Sequence, residues 1–207
     1  MTVHEVVYFN GAGRAEATRI CLFIASQRDS VIDFKDTRIE FHDWPEMKPK
    51  TPLGSLPLLK IDGATHIQSI AMARYAAKLA GLYPTDPIQE LYVDEVMDTL
   101  NDLISAMPQS KDEEEKKKLR EEFATTKMKQ FCDFIERIVQ TNGKGKSVAT
   151  SPSVADILLK VSVAMVSSGL MDYVNTNYFD SYPGIVAAAE AMGNDDGVKA
   201  YYASLEK

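Results

Sequence analysis

The sequence predicts a small α/β domain followed by a larger all-helical domain. Three observations predict it. Short β-rich runs and helical periodicity alternate up to Gly81, Asp62-Gly63 marks a hairpin between two such runs, and every periodic segment after Asp86-Pro87 has helical spacing.

His4 to Phe9 carries Val6, Val7, Tyr8 and Phe9, a strand signal, and Asn10-Gly11-Ala12-Gly13 turns the chain. From Arg14, the apolar residues Ala15, Ala17, Ile20, Cys21, Phe23 and Ile24 recur at helical spacing. Val31 to Ile39 reads as a second strand, and a strand–helix–strand unit of this length implies a parallel pair with a crossover helix. Leu56 to Ile61 and Thr65 to Ile67 are two further strands joined through Asp62-Gly63. Ser69 opens an alanine-rich helix that Gly81 can terminate.

Two prolines between Gly81 and Pro87 mark a domain boundary, giving residues 1–81, a linker at 82–87 and a helical domain from 88 to 207. Asp86 is an N-cap with proline at the first helical position. One helix is expected from Ile88 to about Met107 and a charged one from about Lys111 to Gln140, ending at Asn142-Gly143. Ser153-Val154-Ala155-Asp156 has the form of a capping box with aspartate in place of glutamate. Shorter helices are expected after Pro183 and Asp196.

The chain has 207 residues, 45% hydrophobic and 26% charged, with a net charge of −7. That composition supports a sizeable core, and the acidic balance argues against a nucleic-acid partner, whose affinity rests on Lys and Arg. Apolar stretches such as Ile157 to Val166 are interrupted by Lys160 and Ser162, so no membrane partner is expected. Two cysteines, Cys21 and Cys132, form no metal-binding or disulfide pattern. With no secretory signature after Met1, a cytoplasmic location is expected.

The order of motifs resembles that of the cytosolic glutathione transferases, sigma class, which includes glutathione-dependent prostaglandin D synthases. The resemblance rests on Tyr8-Phe9-Asn10, Gly13-Arg14-Ala15-Glu16, Asp43-Trp44-Pro45-Glu46-Met47-Lys48, Leu56-Pro57, Asp62-Gly63, Gln68-Ser69 and Ala73-Arg74-Tyr75. It is strongest from Val7 to Asp102 and weaker after Met107. It implies a thioredoxin-like N-terminal domain, an all-α C-terminal domain and glutathione as co-substrate.

Glutathione reacts as its thiolate, and a free thiol titrates near ~8.5, so a fixed donor to the sulfur is what the chemistry requires. The resemblance implies that Tyr8 is this donor, with Arg14 adding positive field. Leu56-Pro57 resembles the family's cis-proline turn, which would pair the cysteinyl unit with the Leu56 backbone. Gln68 and Ser69 would bind the γ-glutamyl end, where helix amides favour a carboxylate; Ser69 as a simple N-cap is the plainer alternative. Trp44 and Lys48 would hold the glycyl carboxylate, and Asp102 would reach the amine of glutathione bound in a second subunit of a homodimer.

Asp94, Asp98 and Asp102 form one acidic stripe, but Asn101 stands where the synthases carry another carboxylate, and no metal is expected. The second substrate is expected to be a small apolar electrophile in a pocket lined by Phe9, Gly11, Gly13, Ile104, Met107 and Gln109. Gln109 falls where the synthases place a tryptophan, so prostaglandin D isomerisation is the alternative activity. A non-catalytic protein on the same fold is the rival class.

Overall fold

The computed structural model describes residues 1–206. It divides into two compact units, one running to Tyr83 and completed by the residues from Asp196 onward, the other Pro84–Asp195. The last helix, expected in the helical domain, thus belongs with the N-terminal unit.

In the first unit, β1 (Thr2–Phe9) leads through a 3-10 turn (Gly13–Ala15) into α1 (Glu16–Arg28), then β2 (Ile32–Ile39) and the short α2 (Trp44–Met47). β3 (Leu58–Ile61), β4 (Ala64–His66) and α3 (Ser69–Ala80) follow. The sheet order is β2-β1-β3-β4, with β1 parallel to β2 and antiparallel to β3. The strand–helix–strand unit therefore makes the parallel pair its length demanded, and Asp62-Gly63 closes the β3–β4 hairpin with both residues at positive φ.

Side chains alternate across a strand, so β1 presents His4, Val6 and Tyr8 to one face and Val7 and Phe9 to the other. Val7 packs with Ile39 and Leu58, and Phe9, Trp44, Met47, Leu56 and Ile67 close over that cluster. On the opposite face, His4 lies against Tyr75 of α3, its Nε2 2.8 Å from the phenolic oxygen. Tyr8 is therefore directed to the side on which α1 and α3 pack. Ile20, Cys21, Leu22, Ala76 and Ala77 fill that layer at essentially zero exposure. Burial of a leucine- or isoleucine-sized side chain contributes about 1.5–3 kcal/mol, so this layer is the main anchor for α1.

The second unit is helical: α4 (Pro87–Ser105), α5 (Glu113–Phe123), α6 (Lys129–Thr141), α7 (Val154–Ser167) and α8 (Pro183–Gly193). Asp86 caps α4 by accepting from the amides of Ile88 and Gln89, with Pro87 at the first helical position. The charged segment expected as one helix is instead α5 and α6 joined by a π-helical turn, Ala124–Met128. The carbonyls loosened there are taken by hydroxyls: Thr125 donates to Glu122 O (3.0 Å), Thr126 to Glu122 O (2.7 Å) and Tyr178 to Ala124 O (2.7 Å). The capping box forms as expected, with Asp156 accepting from the Ser153 amide at 2.7 Å. α9 (Asp196–Ser204) completes the first unit by packing on α1.

Candidate active site

β1 ends one residue beyond Tyr8, and the chain turns at once: the Gly11 amide donates to Phe9 O (2.8 Å) and that of Asn10 to Ile39 O (3.1 Å). Two turns of backbone later the Arg14 amide donates to the Tyr8 hydroxyl at 3.4 Å. Between them Gly13 has a φ of +47°, and the Cβ of any other residue would lie 2.7 Å from the Tyr8 phenolic oxygen. Glycine is thus required there twice, for the left-handed backbone and for the close approach.

Arg14 also lines a cleft of about 210 Å³ with Leu56, Pro57, Gln68 and Ser69, joined by Leu53, Ser55 and Ile67. The Leu56-Pro57 peptide is cis. Gln68 adopts φ +74° and ψ +97° at the N-cap of α3 and contributes no side-chain cap, so Ser69 is the first helical residue rather than the cap. Gln68 and Ser69 both line the cleft, so the start of α3 lies at its wall, and the N-terminal amides of a helix suit a carboxylate. Leu53, Ser55 and Ile67 have no sequence signature; they reach the cleft because the Leu56-Pro57 turn folds beside them.

Trp44 and Lys48 lie on and just after α2. The Trp44 ring meets Phe9 edge-on, centroids 5.8 Å apart, and Phe9 stacks on the exposed Phe41 at 4.4 Å. Lys48 is exposed, and its Cε would lie 3.5 Å from a Cβ at Gly54. Gly11 is open, with nothing within 4 Å of a Cβ placed on it.

Behind Tyr8 stands a residue the sequence reading passed over. Arg19 is fully buried, and its guanidinium carbon lies over the Tyr8 ring, 5.6 Å from the centroid. It donates to Asp36 Oδ1 (2.8 Å), to Gly11 O (2.6 Å) and to Phe9 O (3.2 Å). The sequence held one signal of it: an arginine inside the otherwise mostly apolar run from Ala17 to Ile24 of α1.

In the second unit, Asp102 is exposed near the end of α4, and Ile104 and Met107 are half-buried. Gln109 is held by the buried Arg120, whose guanidinium donates to Gln109 Oε1 (3.0 Å), Pro108 O (3.2 Å) and Asp172 O (3.2 Å). Among the described residues, no group of three His, Cys, Asp or Glu side chains could hold a metal ion, and no helix is long and apolar enough to cross a membrane. Cys21 and Cys132 are free and buried; burial pushes the Cys21 thiol up and that of Cys132 to about 12, so neither is a nucleophile.

A four-stranded mixed sheet bearing a cis-proline cleft, followed by a helical domain, defines a protein of the thioredoxin-like two-domain class. Comparison with known proteins narrows this. The family model described as "Glutathione S-transferase, C-terminal domain" matches residues 97–205. A glutathione S-transferase of Anopheles gambiae is 30% identical, the match covering 98% of this chain and 97% of the relative. The hematopoietic prostaglandin D synthase of Gallus gallus is 31% identical over 93% of this chain and 91% of its own. The solved structure of a prostaglandin synthase D of Nilaparvata lugens superposes with a TM-score of 0.84 at 30% identity, covering 97% of each chain. The chain belongs to the glutathione S-transferase family; it is a transferase, and glutathione is the co-substrate of that family.

Proposed function

We propose that this protein is a cytosolic, sigma-class glutathione transferase that conjugates glutathione to small apolar electrophiles, with Tyr8 as the hydrogen-bond donor to the thiolate. One observation carries the reading: Arg14 lines the cleft of Leu56, Pro57, Gln68 and Ser69, and its amide reaches the Tyr8 hydroxyl. A tripeptide lying in that cleft with its γ-glutamyl carboxylate at the start of α3 and its cysteinyl unit along the Leu56 backbone has its sulfur directed toward Tyr8. Trp44 and Lys48 serve the glycyl carboxylate.

A hydrogen bond to a charged group is worth about 1.5–3 kcal/mol, and one pKa unit corresponds to about 1.4 kcal/mol, so a single phenol can hold a substantial fraction of the thiol ionised at neutral pH. Arg14 adds favourable field. The electrophile meets Phe9, Gly11 and Gly13, of which the glycines add almost no side chain, so small rigid substrates fit better than a long chain that must be ordered. The protein acts as a homodimer, with Asp102 of each subunit reaching the glutathione amine bound by the other.

The similarity to the Gallus gallus and Nilaparvata lugens synthases favours one alternative, isomerisation of a prostaglandin endoperoxide. Assaying the purified protein with glutathione and either chlorodinitrobenzene or the endoperoxide separates the two. Conjugation of the halide with little selective prostaglandin D formation is expected, and efficient product-selective turnover of the endoperoxide would favour the alternative. Glutathione binding without turnover of either substrate would favour a non-catalytic protein. Replacing Tyr8 by Phe is expected to retain glutathione binding while slowing conjugation roughly 10- to 1000-fold and moving its pH midpoint upward. An unchanged pH–rate profile removes Tyr8 from the mechanism.

A further inference from the structure

A guanidinium buried in a protein core must have its charge and its donors answered, or it is strongly destabilising. Arg19 is among the largest side chains buried completely, and its partners are not a single carboxylate but a ring, two carboxylates (Asp36 and Glu16) and two backbone carbonyls. The two carbonyls, Phe9 O and Gly11 O, bracket the turn that begins immediately after Tyr8. The ring is that of Tyr8 itself.

We propose that Arg19 is a positioning residue for the thiol-activating tyrosine. It clamps the Phe9–Gly11 turn from beneath, so the Tyr8 ring has one orientation. Its charge on the ring face also draws π-density away and strengthens the hydroxyl as a donor to the thiolate. The proposal rests on the reading of Tyr8 given above.

Three features favour this over a purely structural ion pair. Asp36 already has a second cation: Arg38 Nε donates to its other oxygen at 2.9 Å, so Asp36 does not depend on Arg19 for neutralisation. Only a planar fork with several donors can serve Asp36, Gly11 O and Phe9 O at once; a lysine would supply the charge but not the clamp. And a cation held against an aromatic face in a dry interior interacts more strongly than one in water.

The charged and titratable groups around Arg19 are Glu16 of α1, with Oε2 3.6 Å from Nη1, then Asp36 and Arg38 of β2, and Tyr201 and Tyr202 of α9, both of which bond to Glu16. Tyr201 donates to Glu16 Oε2 at 3.4 Å and accepts from Arg38 at 3.5 Å, so α9 closes the cluster from the far side.

The test compares Arg19→Met and Arg19→Lys in the natural protein and in a Tyr8→Phe background. The readouts are the pH profile of chlorodinitrobenzene conjugation and, separately, glutathione affinity by calorimetry. Arg19→Met is expected to lower kcat roughly 10- to 100-fold, the loss typical of a slightly misplaced catalytic group, and to move the pH midpoint upward with glutathione affinity little changed. Arg19→Lys is expected to recover part of the midpoint while kcat stays low, because charge returns without the clamp. In the Tyr8→Phe background neither variant should move the midpoint further.

Equal losses in both backgrounds, or an unmoved midpoint where Tyr8 is intact, would overturn the proposal. Should Arg19→Met not fold, Arg19→Lys decides alone, and natural kcat in that variant overturns the clamp. A Tyr8→Phe protein with a natural pH profile defeats the underlying reading of Tyr8, an outcome distinct from failure of Arg19.

Discussion

A Cβ on Gly13 would lie 2.7 Å from the phenolic oxygen of Tyr8. The turn after β1 is therefore fitted to the tyrosine at its end. Gly13→Ala cannot be accommodated by a small shift, because φ is +47° and the nearest atoms are those of a ring with little freedom. We expect a loss of stability of about 1–3 kcal/mol and a fall in conjugation of about 100-fold as the hydroxyl is displaced. Natural kcat in a folded Gly13→Ala protein would show that the hydroxyl need not stay where the turn holds it.

Asp102 is exposed, and the proposed sharing of this residue with a second subunit can be tested directly. Asp102→Asn is expected to weaken glutathione binding roughly tenfold, the loss of one charge-assisted contact of about 1.4 kcal/mol. Light scattering should report a dimer for both proteins. A fully active monomer would remove the shared site.

Asp156 is a buried and heavily hydrogen-bonded carboxylate of the helical unit. It accepts from the amides of Val148 (2.7 Å) and Ser153 (2.7 Å) and from the Ser153 hydroxyl (2.9 Å) while almost completely buried. Asp156→Ala strands these donors and is expected to cost about 3–5 kcal/mol by denaturant unfolding.

The same carboxylate has a pH signature. Burial pushes it up to about 6, against the pull of its hydrogen bonds. Between its ordinary value of 3.8 and about 6 the folded protein binds a proton that the unfolded chain does not, so this group's contribution to stability rises as pH falls. The stability difference between the natural protein and the non-titrating Asp156→Asn should widen as pH is lowered from about 7 to 4. A difference that narrows over that window would mean the hydrogen bonds outweigh burial.

Arg120 is the pin of the segment after α4, reaching Pro108, Gln109 and Asp172 together. Arg120→Met leaves two carbonyls without their donor and should cost about 2–4 kcal/mol. Added salt should not abolish the difference, because Arg120 is only 5% exposed and its charge is poorly screened. A stability difference that disappears in high salt would mark the contact as a surface pair.

Much of the fold was legible because its signals act over a few residues. Asp86-Pro87, Ser153 to Asp156, Asp62-Gly63 and Gly81 each do in the structure what short-range chemistry requires. The long charged helix was misread in one respect. Its composition is helical throughout, and the π turn at Ala124–Met128 is met by the Tyr178 hydroxyl, 54 positions from the carbonyl it binds. The cleft was half legible. Leu56, Pro57, Gln68 and Ser69 stand out as a turn and a helix start, whereas Leu53, Ser55 and Ile67 become cleft residues only by adjacency.

What the sequence determined by itself was the order of elements, the parallel crossover, the helix ends and the placing of Tyr8 at the end of β1, since each follows from periodicity or from caps spanning about four residues. Only the tertiary structure decided that α9 joins the first unit, through Tyr201 and Glu16, 185 positions apart. Only it decided, too, that Arg19 lies beneath Tyr8 rather than in solvent. Its acceptors at Gly11 and Asp36 are 8 and 17 positions away on separate elements. No local pattern encodes that meeting; the packing of α1 on the sheet creates it, and the cost of burying an unanswered charge then holds it in place.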